Sequence, residues 1–143
     1  MSVNYATASW EGDLKSGNGH IKTERGSLDT PFTFASRFEG ASGIGPEDLV
    51  AAAISGCVSM ALSNELAGQG NVVTRVDTRS TVTLGPDPAG GFHISSIDLE
   101  VRATVPGIDD DAFQNAAEAT RTGCPIAKLY AGTTINVDAQ LVS

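Results

Sequence analysis

The first third of the chain alternates apolar and polar residues between turn signals, a pattern that predicts half-buried strands. The predicted strands cover residues 5–10, 20–24 and 31–36. Between the first two, the cluster Ser16-Gly17-Asn18-Gly19 predicts a hairpin whose turn residues adopt positive φ. The chain is therefore expected to begin with three strands.

A long apolar helix is predicted next. Gly45-Pro46-Glu47-Asp48 places proline at the first helical position and two acids in the first turn, where free backbone N–H groups favour negative charge. Gly68-Gln69-Gly70 ends this helix. Between these limits apolar residues recur at helical spacing: Val50, Ile54, Val58, Ala61, Leu62 and Leu66. The central segment AAAISGC is built mainly from small residues, which suggests that the helix is buried by more than one neighbour.

Two long strands, two further helices and a last strand are predicted in the rest of the chain. In order, they are strands over residues 72–84 and 92–105, a helix over about residues 111–122, a helical segment from Pro125, and a strand over residues 133–142. The resulting order, βββ-α-ββ-α-α-β, predicts an α+β fold. A chain of 143 residues, of which 41% are hydrophobic, has the size of one domain, so a single domain over residues 1–143 is expected.

Composition and charge narrow the class of protein. Seventeen acidic residues against nine basic ones give a net charge of −8 and a pI near 4.5, which argues against binding to nucleic-acid phosphates. No apolar run approaches the roughly 20 residues of a membrane-spanning helix, so no membrane association is expected. The start shows no basic segment followed by an apolar one, so no secretory signal is predicted. A thiol-poor chain of this kind is expected in the cytoplasm.

Cys57 and Cys124 are the only two cysteines, and their predicted environments differ. In Gly123-Cys124-Pro125, the proline makes Cys124 the residue that caps a helix, where backbone N–H groups favour a reactive thiolate. The alternative interpretation of Cys124 is a small apolar residue at a helix junction. Cys57 lies about three turns inside the long helix, and its position alone indicates an inert core thiol.

Other chemistries have no motif in this sequence. His20 and His93 lie on predicted strands, and neither they nor the cysteines have the spacing of metal ligands. The glycine-rich stretches match neither a phosphate-binding loop nor a dinucleotide fingerprint. No metal or cofactor is therefore expected. Any catalysis would use the thiols, and two thiols suggest a redox couple.

Several segments in register carry a resemblance to a known family. They are Trp10-Glu11-Gly12, Arg37-Phe38-Glu39-Gly40, Pro46-Glu47-Asp48-Leu49 leading into Cys57-Val58-Ser59-Met60-Ala61-Leu62, and Val105-Pro106-Gly107-Ile108 followed by Gly123-Cys124-Pro125. On these segments, which extend over essentially the whole chain, the sequence resembles the OsmC/Ohr family. The position of Arg37 shortly before the long helix favours the OsmC branch of that family.

The resemblance implies an OsmC-like fold in an intertwined two-fold homodimer, with the long helix at its centre and two active sites at the subunit interface. It implies an antioxidant, stress-response peroxidase that reduces organic hydroperoxides and, less well, hydrogen peroxide. Cys57 would be the peroxidatic thiol, Cys124 the resolving thiol, and Arg37 and Glu47 the activating pair. A Cys57 sulfenic acid would then condense to a Cys57–Cys124 disulfide, which an external dithiol, for example that of a lipoylated protein, would reduce. The sequence departs from the family pattern at Ile54, where relatives can carry a histidine, so the residues that line the substrate pocket are not determined by the resemblance.

The spacing of Glu47 and Cys57 bears on the expected dimer. Ten residues of helix separate them, which is about 15 Å along the axis, so a direct contact within one chain is not expected. If Glu47 orients the arginine at Cys57, this Glu47 is expected to belong to the partner subunit. Without the resemblance, Arg37 would be interpreted as a surface arginine and Glu47 as a favourable first-turn acid. The alternative function is a non-catalytic dimer that binds a small apolar ligand and uses its cysteines structurally.

Overall fold

The structure is a computed structural model that describes residues 1–142. The chain divides into two compact units, Met1–Leu49 and the part from Val50 onward. Strands and helices occur in separate runs along most of the chain, so the predicted α+β class is confirmed. The single domain over residues 1–143 stays a prediction.

The first unit is an antiparallel sheet in the order β1-β2-β3, followed by a short helix. Its elements are β1 (Ala6–Glu11), β2 (Asn18–Thr23), β3 (Asp29–Thr33) and α1 (Phe34–Phe38). The predicted third strand is wrong beyond Thr33, because α1 begins there. Thr33 Oγ1 accepts a hydrogen bond from Ser36 N (3.0 Å), and Ser36 Oγ accepts one from Thr33 N (2.9 Å), which is a capping box. The order of elements therefore contains one more helix than predicted.

Gly17 and Gly19, which were expected to supply positive φ in the first hairpin, instead allow neighbouring atoms to approach closely. The residue with positive φ in this connection is Gly12 (φ 88°), and neither Gly17 nor Gly19 adopts such a conformation. Gly19 is paired with Trp10 on one side and Phe32 on the other, and a Cβ there would lie 2.5 Å from the Phe32 ring. Gly19 is therefore required so that the Phe32 ring can lie over the backbone of β2.

Helix α2 (Pro46–Gly68) begins at the end of the first unit, and most of it belongs to the second. The second unit also contains β4 (Arg75–Pro86), β5 (Phe92–Thr104), α3 (Asp110–Gly123), α4 (Pro125–Leu129) and β6 (Thr134–Leu141). β4 and β5 pair as an antiparallel hairpin, whereas β5 and β6 are parallel. Parallel neighbours need a crossover connection, and here the segment with α3 and α4 provides it.

The hydrophobic core of the second unit lies between the sheet and helices α2 and α3. Four residues spaced by four along α2 are buried in it: Ile54, Val58, Leu62 and Leu66. They pack with the inward side chains of β5, among them Leu99 and Val101, and with Phe113 of α3. The opposite side of α2, with Ala52, Ala53 and Gly56, is exposed. Helix α2 therefore has neighbours in β5 and α3 on its buried side, whereas within residues 1–142 nothing covers the small residues of its exposed side.

Helix α2 is also long and apolar enough to cross a bilayer, with a mean hydropathy of 1.5 over 18 residues. The expectation that no apolar segment approaches that length is therefore wrong. The alanines of α2 raise its mean hydropathy, and few charged residues lower it. Only 22% of that window is buried inside the structure. Length and composition do not by themselves indicate insertion, because core helices satisfy the same criterion.

Candidate redox-active site

Cys57 and Cys124 form a disulfide in the second unit. Their Cα atoms are 6.2 Å apart, within the span that a disulfide bridges. Cys57 lies in the interior of α2, and Cys124 lies at the junction of α3 and α4, 67 positions later. The fold therefore brings together two thiols that the spacing along the chain does not relate.

The environment of each cysteine in the structure agrees only in part with the one expected from its place in the sequence. Cys124 ends α3, where its N–H donates to Thr120 O, and it precedes Pro125 at the start of α4, so the predicted cap is confirmed. Its sulfur makes no capping hydrogen bond and is bonded to the sulfur of Cys57. Cys57 is partly buried and disulfide-bonded, so the interpretation as an inert core thiol is wrong.

An open cleft of about 570 Å³ lies beside the disulfide. Its lining includes both cysteines, Met60 and Glu65 from α2, and Thr120 from α3. Met60 and Glu65 follow Cys57 by three and eight residues, which places them on the two flanks of the helix face that carries Cys57. Sequence reasoning missed both residues, although this helical spacing was the signal that could have found them.

Ile54, whose role was open, is fully buried in the core and does not line the cleft. Position 54 is therefore not part of the wall beside the disulfide in this chain.

Arg37 and Glu47 form an ion pair in the first unit. Arg37 Nη2 donates to Glu47 Oε1 (2.7 Å) and Arg37 Nε donates to Oε2 (3.1 Å), a two-point contact that holds both groups in one plane. Arg37 lies in α1, and its guanidinium carbon is 5.0 Å from the centre of the Phe38 ring. Glu47 lies in the first turn of α2. The predicted pair therefore exists as a contact within one chain.

The charge state of Glu47 depends on this contact. Burial raises the pKa of Glu47, but the hydrogen bonds and positive charge of Arg37 outweigh burial, and the net pKa is lowered. The Glu47 side chain is 17% exposed, against 35% for Arg37, so the carboxylate is the more enclosed partner. Glu47 is thus held as an anion and fixes the orientation of the guanidinium.

A second cleft, of about 490 Å³, reaches Arg37 in the first unit. Trp10, Leu14, Phe32 and Phe34 give it largely apolar walls. The rings of Trp10 in β1 and Phe32 in β3 are 5.3 Å apart, and their planes are tilted by 48°, so the two rings pack against each other over β2. The sequence did not single out Trp10 or Leu14 for this surface.

Fold and site together define an α+β protein with a two-cysteine redox centre and a separate arginine–glutamate pair. A disulfide beside an open cleft can accept two electrons and return to two thiols by exchange with another thiol. Comparison with known proteins identifies the family. The model of the family described as OsmC-like protein matches residues 39–139.

Two relatives and one solved structure illustrate the match. The chain is 42% identical over 137 residues to Peroxiredoxin OsmC of Escherichia coli (strain K12), covering 95% of this chain and 94% of that protein. It is 30% identical over 125 residues to the organic hydroperoxide resistance protein OhrB of Bacillus subtilis (strain 168), covering 86% and 87%. The crystal structure of the Bacillus subtilis OhrB matches with a TM-score of 0.73 at 27% identity, covering 96% of this chain and 98% of that one.

The chain belongs to the OsmC-like family, as the resemblance of its segments predicted. Its greater identity to a protein named OsmC than to one named OhrB agrees with the predicted branch.

Proposed function

We propose that this protein is a cysteine-based peroxidase that reduces organic hydroperoxides and, less well, hydrogen peroxide. The observation that carries the proposal is the Cys57–Cys124 disulfide, which lies beside an open cleft rather than in a sealed core. Relatives named for peroxiredoxin activity and for organic hydroperoxide resistance support it. The proposal places the protein among antioxidant enzymes of the stress response, in the cytoplasm.

The proposed reaction begins with both cysteines reduced. The Cys57 thiolate attacks the outer oxygen of the hydroperoxide, the O–O bond breaks, and the alcohol leaves after taking up a proton. Cys57 becomes a sulfenic acid. The Cys124 thiol then attacks the Cys57 sulfur, water leaves, and the disulfide forms. The peroxide has then received two electrons, which came from the two thiols.

Arg37 and Glu47 are proposed to activate Cys57. A guanidinium is always charged and stabilises a nearby thiolate, which is the form of cysteine that attacks a peroxide. Glu47 holds the guanidinium in place through the two-point contact. Because ten residues of helix separate Glu47 from Cys57, the pair that acts on one Cys57 is proposed to come from the partner subunit of a homodimer.

The exposed side of α2 supports the proposed homodimer. Ala52, Ala53, Gly56 and the 77%-exposed Met60 form a surface of small and apolar residues that a second copy of the helix could cover. An external dithiol, such as the dihydrolipoyl group of a lipoylated protein, is proposed to reduce the disulfide and complete the cycle.

Substitution of each cysteine tests the proposal. Cys57→Ser is expected to abolish peroxide consumption with dithiothreitol as reductant. Cys124→Ser is expected to consume about one equivalent of cumene hydroperoxide in the absence of reductant, leaving a Cys57 sulfenic acid that dimedone traps. Cys124→Ser thus serves as the matched control for loss of the disulfide alone. Peroxide consumption that persists in Cys57→Ser would overturn the proposal.

A second candidate function is binding of a small apolar ligand by a non-catalytic dimer. The cleft of Trp10, Leu14, Phe32 and Phe34 favours it, because its walls are mainly apolar. Under this alternative, Cys57→Ser keeps the affinity for an apolar fluorescent probe, and the unmodified protein consumes no hydroperoxide. The peroxide assay therefore decides between the two functions.

A further inference from the structure

Among residues 1–142 of one chain, a single ionisable side chain besides the cysteines lines the cleft beside the disulfide. Its lining is otherwise apolar or uncharged, with Met60, Ala61 and Asn64 on α2 and Thr120 on α3. The exception is Glu65, eight residues after Cys57 and therefore about 12 Å farther along the helix axis. The cleft that leads to the disulfide is therefore lined by one carboxylate of this chain.

No cation neutralises that carboxylate in the part of the chain that the structure describes. Glu65 Oε1 accepts a hydrogen bond from Gln69 Nε2 (3.0 Å), one turn later, and none of the ion pairs among residues 1–142 includes Glu65. The amide holds the carboxylate without cancelling its charge. Glu65 therefore contributes a negative potential at one end of the cleft.

The exposure of the two cysteines indicates which sulfur a reductant reaches. Cys124 is 1% exposed, whereas Cys57 is only partly buried and lines the cleft. The first thiolate of a dithiol attacks Cys57 Sγ, the Cys57–Cys124 bond breaks, and Cys124 leaves as a thiolate that takes up a proton. The second thiol of the reductant then attacks the reductant's first sulfur, which is bonded to Cys57 Sγ in the mixed disulfide. This step closes a cyclic disulfide and releases Cys57, so the dithiol has passed two electrons to the protein.

We propose that Glu65 selects the reductant by charge, so that the cleft admits a dithiol whose carrier is uncharged near the sulfurs and disfavours one that carries a carboxylate there. The inference rests on the proposed function, because it concerns the reductive half of the same cycle. The attacking thiolate is itself an anion, so Glu65 slows every reductant somewhat. The carboxylate of an anionic dithiol adds a second negative charge within the cleft and so increases the repulsion from Glu65.

Dihydrolipoamide and dihydrolipoate form a matched pair of probes, because they share the same dithiol and differ in one carboxylate at the end of a short chain. The test measures the rate at which each reduces the oxidised, full-length protein, without peroxide and at low ionic strength. We expect dihydrolipoamide to react faster. In Glu65→Gln, the ratio of the two rates is expected to fall by about threefold or more, as removal of one repulsive contact near the surface predicts. Concentrated salt is expected to reduce the ratio in the unmodified protein toward the Glu65→Gln value.

Two further variants make the result specific. Glu65→Asp keeps the charge and is expected to keep most of the ratio, which separates charge from shape. Glu100→Gln removes one charge from the exposed face of β5 and is expected to leave the ratio unchanged. An unchanged ratio in Glu65→Gln, an equal fall in Glu100→Gln, or failure of both dithiols to reduce the disulfide would each overturn the inference. Failure of the proposed function is a separate observation, namely that the unmodified protein consumes no hydroperoxide.

Discussion

The contact between Arg37 and Glu47 gives this protein a residue-scale dependence on pH. Arg37 lowers the pKa of Glu47 in the folded state despite the opposing effect of burial. Stability from this contact is therefore fully present above the ordinary pKa of glutamate, about 4.3, and is lost as the pH falls through the lowered value. The contact thus stabilises the fold at neutral pH and not in acid.

Glu47→Gln is expected to lower the free energy of unfolding by about 0.5–1 kcal/mol at pH 7, because the pair is partly exposed. The difference from the unmodified protein should shrink as the pH falls from the ordinary pKa of glutamate, about 4.3, through the lowered pKa of Glu47, where the carboxylate takes up its proton. Urea titrations at a series of pH values measure this. Glu39→Gln, at an exposed acid on the same segment, is the control and should show no such trend. A pH-independent effect of Glu47→Gln would contradict the assignment.

Single residues also mark the limit of what the sequence predicts about the site. The helix-capping position of Cys124 follows from Gly123-Cys124-Pro125 alone, because proline at the first helical position is a local signal. Its bond to Cys57 does not follow from spacing, since the two are 67 positions apart and meet only in the packed fold. The need for glycine at position 19 does not follow from the local sequence either, because the Phe32 ring that excludes a Cβ there comes from another strand.

At the scale of elements, α2 is held by one row of buried side chains. Leu62 is fully buried at the centre of that row, whereas Leu129 on α4 is 73% exposed. Leu62→Ala is expected to lower the free energy of unfolding by about 2–5 kcal/mol, because it removes buried methyl groups and leaves a cavity. Leu129→Ala should change it by no more than about 0.5 kcal/mol. Equal effects in denaturant titrations of the two variants would contradict the assigned packing of α2.

Elements with strong periodicity or clear end signals were predicted well, and short or non-local ones were not. The acids before α3 mark its start, and Asp109 indeed caps it through a bond from Ala112 N (2.9 Å). Helix α1 has five residues, too few for a periodic pattern, and depends on the side chains of Thr33 and Ser36. The parallel pairing of β5 with β6 is decided by the path of the chain through α3 and α4, which no local pattern encodes.

At the scale of the whole molecule, the exposed side of α2 is the place where a second copy is expected. Ala52→Glu adds a charge to this side with little effect on helix propensity, and it is expected to convert the dimer to monomers in sedimentation equilibrium. Thr81→Glu places the same side chain on the exposed face of β4 and should leave the dimer intact. A monomeric unmodified protein, or an Ala52→Glu variant that remains dimeric, would contradict this interface.

At the scale of the whole molecule, the proposed function depends on reversible oxidation of Cys57 and Cys124 to one disulfide. The composition offers no third thiol, so oxidation can produce only one intramolecular disulfide. The acidic chain, with a net charge of −8, needs a local cation at the thiolate, and the Arg37–Glu47 pair is the proposed source. Both features predict a clean two-electron change per chain.

The most direct measurement is the intact mass of the fully reduced, full-length protein before and after one equivalent of cumene hydroperoxide. We expect the loss of two hydrogens and a peptide pair joined through Cys57 and Cys124, with neither change in Cys57→Ser or Cys124→Ser. An unchanged mass, with both thiols still free after exposure to the peroxide, would contradict the proposed peroxidase cycle.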